Sequence, residues 1–193
     1  MGTRNLTLVL LNGEYKVAQY GQWDGYPSGQ GMTVLTFLRN MEIDKMRTAL
    51  DHVKFPTDEE AKELAAKVDK DGNIDGVDWL TIYPQFSRNV CANILSLVYD
   101  NKEEILLLKN SLDFAADSLF CEWAYLVNLD NETLEVYKGF NKSPLTEFDR
   151  FLFLEDKAED DYHPIKIVKS YPLSALPNDE DFVSELLGKD SDE

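Results

Sequence analysis

The sequence has few of the residues on which metal binding, disulfide frameworks and common catalytic motifs depend. Among 193 residues there are two cysteines, Cys91 and Cys121, and two histidines, His52 and His163. Two cysteines inside apolar stretches are typical of buried free thiols rather than of a disulfide framework. They also lack the spacing of a zinc site, and no nucleophile-elbow motif is present. We therefore predict no catalytic residue, no metal site and no cofactor, and a binding protein is favoured over an enzyme.

A membrane segment is also missing from the sequence. No apolar run approaches the length of about 20 residues that crosses a bilayer. The first residues lack the basic and apolar segments of a secretory signal peptide. Leu6 occupies the position at which an N-myristoylation motif has Ser or Thr. These observations predict a cytoplasmic protein that does not bind membranes.

Basic residues are scarce relative to acidic ones. The chain has 19 Lys and Arg against 36 Asp and Glu, a formal net charge of −17. Such a surface repels phosphate backbones, so direct nucleic-acid binding is not expected. Solubility is the simpler use of the charge. The alternative is attraction to a basic protein surface, such as the nucleic-acid groove of another protein, and the acidic stretch around Asp160 and Asp161 favours it.

Strand patterns occur in the first quarter and in the second half of the sequence. Asn5–Leu11 is rich in leucine and ends at Asn12-Gly13, a strong two-residue hairpin signal. A second hairpin turns at Asp130-Asn131-Glu132, and the alternation in its strands predicts one buried face on each. Strands are predicted over residues 5–11, 14–20, 122–129, 133–137 and 165–168.

Helical periodicity fills most of the intervening sequence. Thr57 and Glu60 form a capping-box motif at the start of one helix, and Ser87 is a candidate cap for another. Helices are predicted over residues 32–38, 46–53, 57–68, 87–98, 101–108 and 179–187. This order predicts an α+β fold in one domain over residues 1–188, with an acidic frayed tail at 189–193. An antiparallel sheet, built from an N-terminal hairpin, a later hairpin and a late strand, packs against several helices.

One polar turn has a partial match to a calcium-binding loop. Asp69, Asp71 and Asn73 occupy the first, third and fifth positions of an EF-hand loop. Ile74 stands where the turn glycine is needed, and Leu80 replaces the bidentate glutamate. A solvated turn is therefore favoured over a calcium site.

The glycine-rich segment Tyr20–Gly31 is the most informative part of the sequence. Its four glycines and one proline predict a tight loop, and Trp23 and Tyr26 either pack against the core or form a binding surface. Arg88 lies at a predicted helix start, where backbone donors bind anions, although a simple cap is favoured there. The predicted binding residues are Arg4, Tyr20, Gln22, Trp23, Asp24, Tyr26, Arg88, Asp160 and Asp161.

The opening residues Met1–Thr7 and the segment Ala18–Pro27 resemble an uncharacterised protein family of phages, gut bacteria and some fungi. Tyr83–Arg88 and the hairpin over residues 123–137 are similar to later segments of that family. The resemblance implies no activity. A phage or mobile-element origin implies an inhibitor of a host defence or nucleic-acid-handling enzyme, for example a viral protein that occupies a basic groove as some anti-CRISPR proteins do. Asn89-Val90-Cys91 replaces an Asp-Thr-Gly-like run, which weakens any site built on Arg88.

The first hairpin also resembles that of N-terminal-nucleophile hydrolases such as proteasome β subunits. That resemblance implies the layered fold of those enzymes, with Thr3 as the nucleophile of an amidohydrolase. Two features depart from the pattern: removal of Met1 would expose Gly2, and residues 32–38 contain no lysine. An amidohydrolase, or a small-ligand-binding protein that uses the glycine-rich loop, is therefore the alternative to an acidic binding protein.

Overall fold

The computed structural model describes residues 2–102, 105–158 and 161–188 of the chain. The predicted tail at residues 189–193 lies outside the described residues. The strands of both predicted hairpins and the predicted late strand are present. In chain order the strands are β1 (Asn5–Leu11), β2 (Glu14–Gly21), β3 (Val53–Lys54), β4 (Asn73–Ile74), β5 (Val77–Asp78), β6 (Leu106–Leu107), β7 (Trp123–Asn128), β8 (Thr133–Lys138) and β9 (Lys166–Pro172).

Five of these strands form one sheet with the order β2-β1-β7-β8-β9. Neighbouring strands run antiparallel except at the centre, where β1 and β7 pair in parallel from Asn5↔Trp123 to Leu10↔Asn128. The predicted α+β fold with a largely antiparallel sheet is therefore confirmed. The parallel pair was not predicted, because a hairpin signal specifies the partner within each hairpin and not how two hairpins meet.

Both faces of the central strands are buried. Every residue of β1 and of β7 is buried, and so are residues 134–137 of β8. The prediction of one buried face for each strand of the second hairpin was therefore wrong. On one face Val9, Tyr125 and Val136 belong to a core cluster that includes helical residues. On the other face Leu8 and Leu126 pack with residues from short 3-10 helices and from loops. The sheet is therefore the middle of three layers.

Six α-helices lie in the described part of the chain. Thr57 and Glu60 form the predicted capping box, with Glu60 N donating to Thr57 Oγ1 over 3.2 Å. The helices are α1 (Met32–Asn40), α2 (Ile43–Leu50), α3 (Asp58–Lys67), α4 (Trp79–Ile82), α5 (Ile94–Tyr99) and α6 (Asp179–Leu187). Buried residues of α1, α2, α5 and α6 cover one face of the sheet.

Two helix predictions were wrong for identifiable reasons. Ser87 does not cap a helix: Cys91 has a φ of +45°, which interrupts a right-handed path, and α5 begins only at Ile94 after a short 3-10 turn. The predicted helix over residues 101–108 is replaced by β6, since Leu106 N donates to the His52 carbonyl over 2.7 Å. Residues 103 and 104 of that prediction lie outside the described residues.

The turns of the two hairpins meet at one end of the sheet. Asp130, in the second turn, accepts hydrogen bonds from Asn12 N at 2.6 Å and from Gly13 N at 2.8 Å. Hydrogen bonds to a charged acceptor are stronger than neutral ones. The carboxylate therefore ties the first hairpin to the second across the parallel pair.

One charged group is buried in the second core face. Glu135 accepts hydrogen bonds from Arg150 Nε at 2.9 Å and Nη2 at 2.7 Å, from Asn128 Nδ2 at 2.8 Å, and from the Tyr137 hydroxyl. Burial alone would raise the pKa of Glu135. The hydrogen bonds outweigh that effect, so its pKa lies below the ordinary value. Glu135 is therefore ionised and fully partnered inside the fold.

We expect Arg150→Ala to lower the free energy of unfolding at pH 7 by about 3 kcal/mol, because it leaves a buried carboxylate without its cation. The pKa of Glu135 is lower in the folded state than in the unfolded state, where it is about 4.3. The stability that its hydrogen bonds supply is therefore fully present above the unfolded pKa, and it is lost as pH falls through the folded pKa. Urea unfolding at several pH values measures this. Arg150→Lys should have a free energy of unfolding between those of the wild type and Arg150→Ala. The explanation would be contradicted if the wild type and Arg150→Ala differed equally at pH values where Glu135 is protonated.

Candidate functional site

The end of the sheet opposite the two turns is surrounded by loops from distant parts of the sequence. The last row of paired residues there is Gly21, Asn5, Trp123, Lys138 and Lys166, one from each strand of the sheet. The chain segments just beyond this row are residues 2–4, 22–31, 117–122, 139–142 and 161–165. Because β1 and β7 are parallel, these segments all lie at the same end of the sheet.

The glycine-rich loop lies at this end of the sheet and is held by hydrogen bonds to the sheet. Gly25 N donates to the Thr3 carbonyl over 2.9 Å, and Asn5 Nδ2 donates to the Trp23 carbonyl over 3.2 Å. The buried hydroxyl of Tyr125 donates to the Gly25 carbonyl over 2.8 Å. Burial raises the pKa of Tyr125 well above its ordinary value, so this hydroxyl remains a donor. The loop is therefore anchored from beneath.

A second loop, around Arg88, fixes the same segment from the side. Gln22 N donates to the Arg88 carbonyl over 3.2 Å, and Trp23 Nε1 donates to Asn89 Oδ1 over 3.1 Å. Ala92 N donates to Gln30 Oε1 over 3.0 Å, which joins the far ends of the two loops. The pair of loops therefore forms one rigid element.

Glycine is required at two positions of this loop. A Cβ at Gly25 would lie 2.7 Å from the Thr3 carbonyl oxygen, and one at Gly29 would lie 2.3 Å from the Asp24 carbonyl oxygen. Both obstacles are backbone oxygens, which cannot move aside as the end of a side chain could. The glycines therefore allow close packing of backbone against backbone, which is the role that the sequence predicts for them.

Four large aromatic side chains are about half exposed around this end of the sheet. The exposed fractions are 45% for Trp23, 48% for Tyr26, 46% for Phe120 and 51% for Phe140. The Arg4 guanidinium lies 4.7 Å from the centre of the Phe120 ring. We call these five residues the aromatic rim. Such exposure is costly for large aromatic groups unless a partner covers them, so the rim is the candidate binding site.

The structure brings most of the predicted binding residues together. Gln22, Trp23, Asp24 and Tyr26 lie in the first loop, and the Arg88 carbonyl binds it. The Tyr20 hydroxyl donates to Gln22 Oε1 over 2.6 Å, and Arg4 lies just before β1. Asp161 is next to Tyr162, whose ring centre is 6.5 Å from that of Phe140. Asp160 lies outside the described residues.

Phe120 and Phe140 were not predicted from the sequence. Each lies just outside a strand of the second hairpin, and the two segments are joined because Phe140 N donates to the Ser118 carbonyl over 2.7 Å. An aromatic residue directly outside a predicted strand end was the available signal. It could not be used without the parallel pairing, which places this hairpin beside the first one.

Three buried polar side chains lie on the sheet beneath the loops. Thr7 pairs with Gln19 across β1 and β2, and Asn5 lies on the same face two residues earlier. Within the described part of the chain, Asn5 Oδ1, Thr7 Oγ1 and Gln19 Oε1 have no hydrogen-bond partner. Thr3 is buried as well, and its carbonyl anchors the glycine-rich loop. The hydrolase alternative and its layered fold stay predictions.

In the segment with the partial match to a calcium loop, the side chain of Asp69 forms turn hydrogen bonds. Asp69 Oδ1 accepts hydrogen bonds from Asp71 N and from Asn73 N, both at 2.9 Å. Across residues 2–102, 105–158 and 161–188, no group of three or more His, Cys, Asp or Glu side chains is arranged to hold a metal ion. The structure thus gives this segment a local role in β4 and β5.

We expect Tyr125→Phe to lower the free energy of unfolding by about 1–2 kcal/mol, because the buried Gly25 carbonyl loses its donor. Amide hydrogen exchange within residues 22–31 should accelerate more than exchange in β7. Tyr171→Phe is the matched control, since the Tyr171 hydroxyl bonds to Glu185 near the surface over 3.0 Å. Equal exchange in the loop of both variants would contradict the anchoring role.

Comparison with known proteins gives no relative on which to base a function. Neither a protein-family model, nor a curated protein, nor a solved structure matches this chain. The resemblance to a phage and bacterial family therefore stays a prediction. Within the described residues, no helix combines the length and the apolar character needed to cross a bilayer.

Proposed function

We propose that this is a binding protein that docks on a basic partner protein through the aromatic rim. The observation that carries the proposal is the half exposure of Trp23 and Tyr26 on a loop that is hydrogen-bonded on two sides. A loop without these constraints could fold its aromatic side chains back onto the core. Here the backbone is held while the side chains remain accessible.

The composition of the rim favours a protein partner. Trp, Tyr and Arg are the residues that most often dominate binding energy at protein interfaces. Arg4 is already oriented by its contact with Phe120, and Trp23 by its bond to Asn89. Preorganised side chains lose little entropy on binding, so more of the contact energy contributes to affinity.

The net charge supports a basic partner. Nine basic side chains of the described residues already form ion pairs with acidic ones. Because the chain has 36 acidic and only 19 basic residues, a net charge of −17 remains, and it produces a negative field around the molecule. Arg4 is the charged member of the rim, and the adjoining loops contribute Arg88, Asp24 and Glu122. In this proposal the field attracts the partner and the rim makes the contact.

The basic surface that we infer is the nucleic-acid groove of an enzyme, which the protein would block. The acidic charge is the support for this more specific form, since such grooves are lined with Lys and Arg to bind phosphates. We propose the cytoplasm as the compartment. Cys91 and Cys121 are both buried and free, which suits a reducing environment.

The test is capture of basic proteins from a bacterial lysate on the immobilised chain, followed by elution with increasing salt. We expect Trp23→Ala/Tyr26→Ala to lose a basic protein that the wild type retains, because the two anchors are removed. Phe153→Ala/Leu187→Ala is the matched control, since it removes two exposed apolar side chains elsewhere and should retain that protein. Elution should occur between low and moderate salt.

Two results would contradict the proposal. Equal retention by the rim variant and the wild type would show that the rim is not the contact. Retention that does not change with salt would show that charge does not attract the partner. Circular dichroism of each variant establishes that the fold is intact.

A further inference from the structure

The α-helices and strands of residues 56–86 contribute no buried residue to the core. None of the residues in α3, α4, β4 or β5 is buried. The larger apolar side chains of this segment, among them Leu64, Val68, Trp79 and Phe86, remain partly exposed. A helix normally buries its apolar stripe against the rest of the protein. The apolar stripe of α3 is instead left open on one side.

An open groove of about 520 Å³ follows this stripe. One wall is α3, and the other includes Trp79 and Phe86, whose rings are stacked with centroids 5.6 Å apart. The apolar lining includes Pro56, Ala61, Leu64, Ala65, Val68, Trp79 and Phe86. Two small alanines on the helix wall leave room for a side chain that enters from outside.

The helix wall of the groove is about two turns long. Ala61, Leu64, Ala65 and Val68 have the three- and four-residue spacing of one helix face. With a rise of 1.5 Å per residue, the distance along α3 from Ala61 to Val68 is about 10 Å, or two turns. An occupant of this length would present apolar side chains at every third or fourth position, as helices bound in grooves do.

The surroundings of the groove are acidic. Residues 56–86 contain eight acidic and three basic residues. Asp69 lines one end of the groove, and Asp58 lies on the same stripe of α3 at the other end. Asp58, Glu59 and Glu63 are exposed. The charge therefore selects a basic occupant, and it disfavours a second copy of this chain, whose net charge is −17.

We propose that this groove docks a basic amphipathic helix of another protein, with apolar side chains between α3 and Trp79 and with Lys or Arg near Asp58 and Asp69. The site is separate from the aromatic rim and does not depend on the function proposed for it. Its apolar contacts give affinity, and the acidic ends set the preference for a cationic helix.

The test uses a fluorescent synthetic helix of about 14 residues, made of Leu on one face and Lys on the other, and measures its anisotropy with the full chain. We expect Ala65→Lys to weaken binding about tenfold, because it places a cation inside the groove. Ala66→Lys is the matched control. It changes the net charge equally but lies on another face of α3, so binding should remain within about twofold of wild type.

Three comparisons make the result decisive. A peptide of the same composition with its Leu residues scattered should bind at least tenfold more weakly, since it has no apolar face. A Glu/Leu helix should not bind. Equal weakening by Ala65→Lys and Ala66→Lys, or equal binding of the scattered peptide, would overturn the proposal in favour of general charge attraction. Trp23→Ala/Tyr26→Ala should bind the peptide as the wild type does, which separates the two sites.

Discussion

The parallel pairing of β1 with β7 is the contact on which the arrangement of the molecule depends. Each hairpin is specified locally, but a parallel pair fixes their relative direction. Both turns then lie at one end of the sheet, where Asp130 binds Asn12 and Gly13. The open ends of both hairpins lie at the other end, and the loops that follow them converge there.

This pairing also decides what is buried. Two hairpins joined side by side place β1 and β7 in the interior of a five-stranded sheet, where both faces can be covered. Polar groups on these faces must then find partners inside the protein. Glu135 does so through Arg150 and Asn128, whereas Thr7 Oγ1 finds none among the described residues. The polar face beneath the glycine-rich loop is thus the less completely satisfied part of the core.

Two of the exposed apolar areas on the surface differ in their construction. At the sheet end, aromatic side chains project from loops whose backbones are hydrogen-bonded to a rigid sheet. In residues 56–86, apolar side chains of short elements face an open groove with acidic ends. The first arrangement suits a preformed contact with a folded surface, because its geometry is set before binding. The second suits a helical partner segment, because the groove is open and follows one face of α3.

Local chemistry in the sequence determined the two hairpins, the Thr57 capping box, α1, α6 and the tight glycine-rich loop, since each depends on residues close together in the chain. Trp23, Tyr26 and their neighbours could be singled out as candidate binding residues for the same reason. Only the tertiary structure decided the parallel pair, the burial of both sheet faces, the replacement of a predicted helix by β6, and the addition of Phe120 and Phe140 to the rim. These features arise from contacts between residues far apart in sequence, and the free energy of such contacts is not encoded in any local pattern.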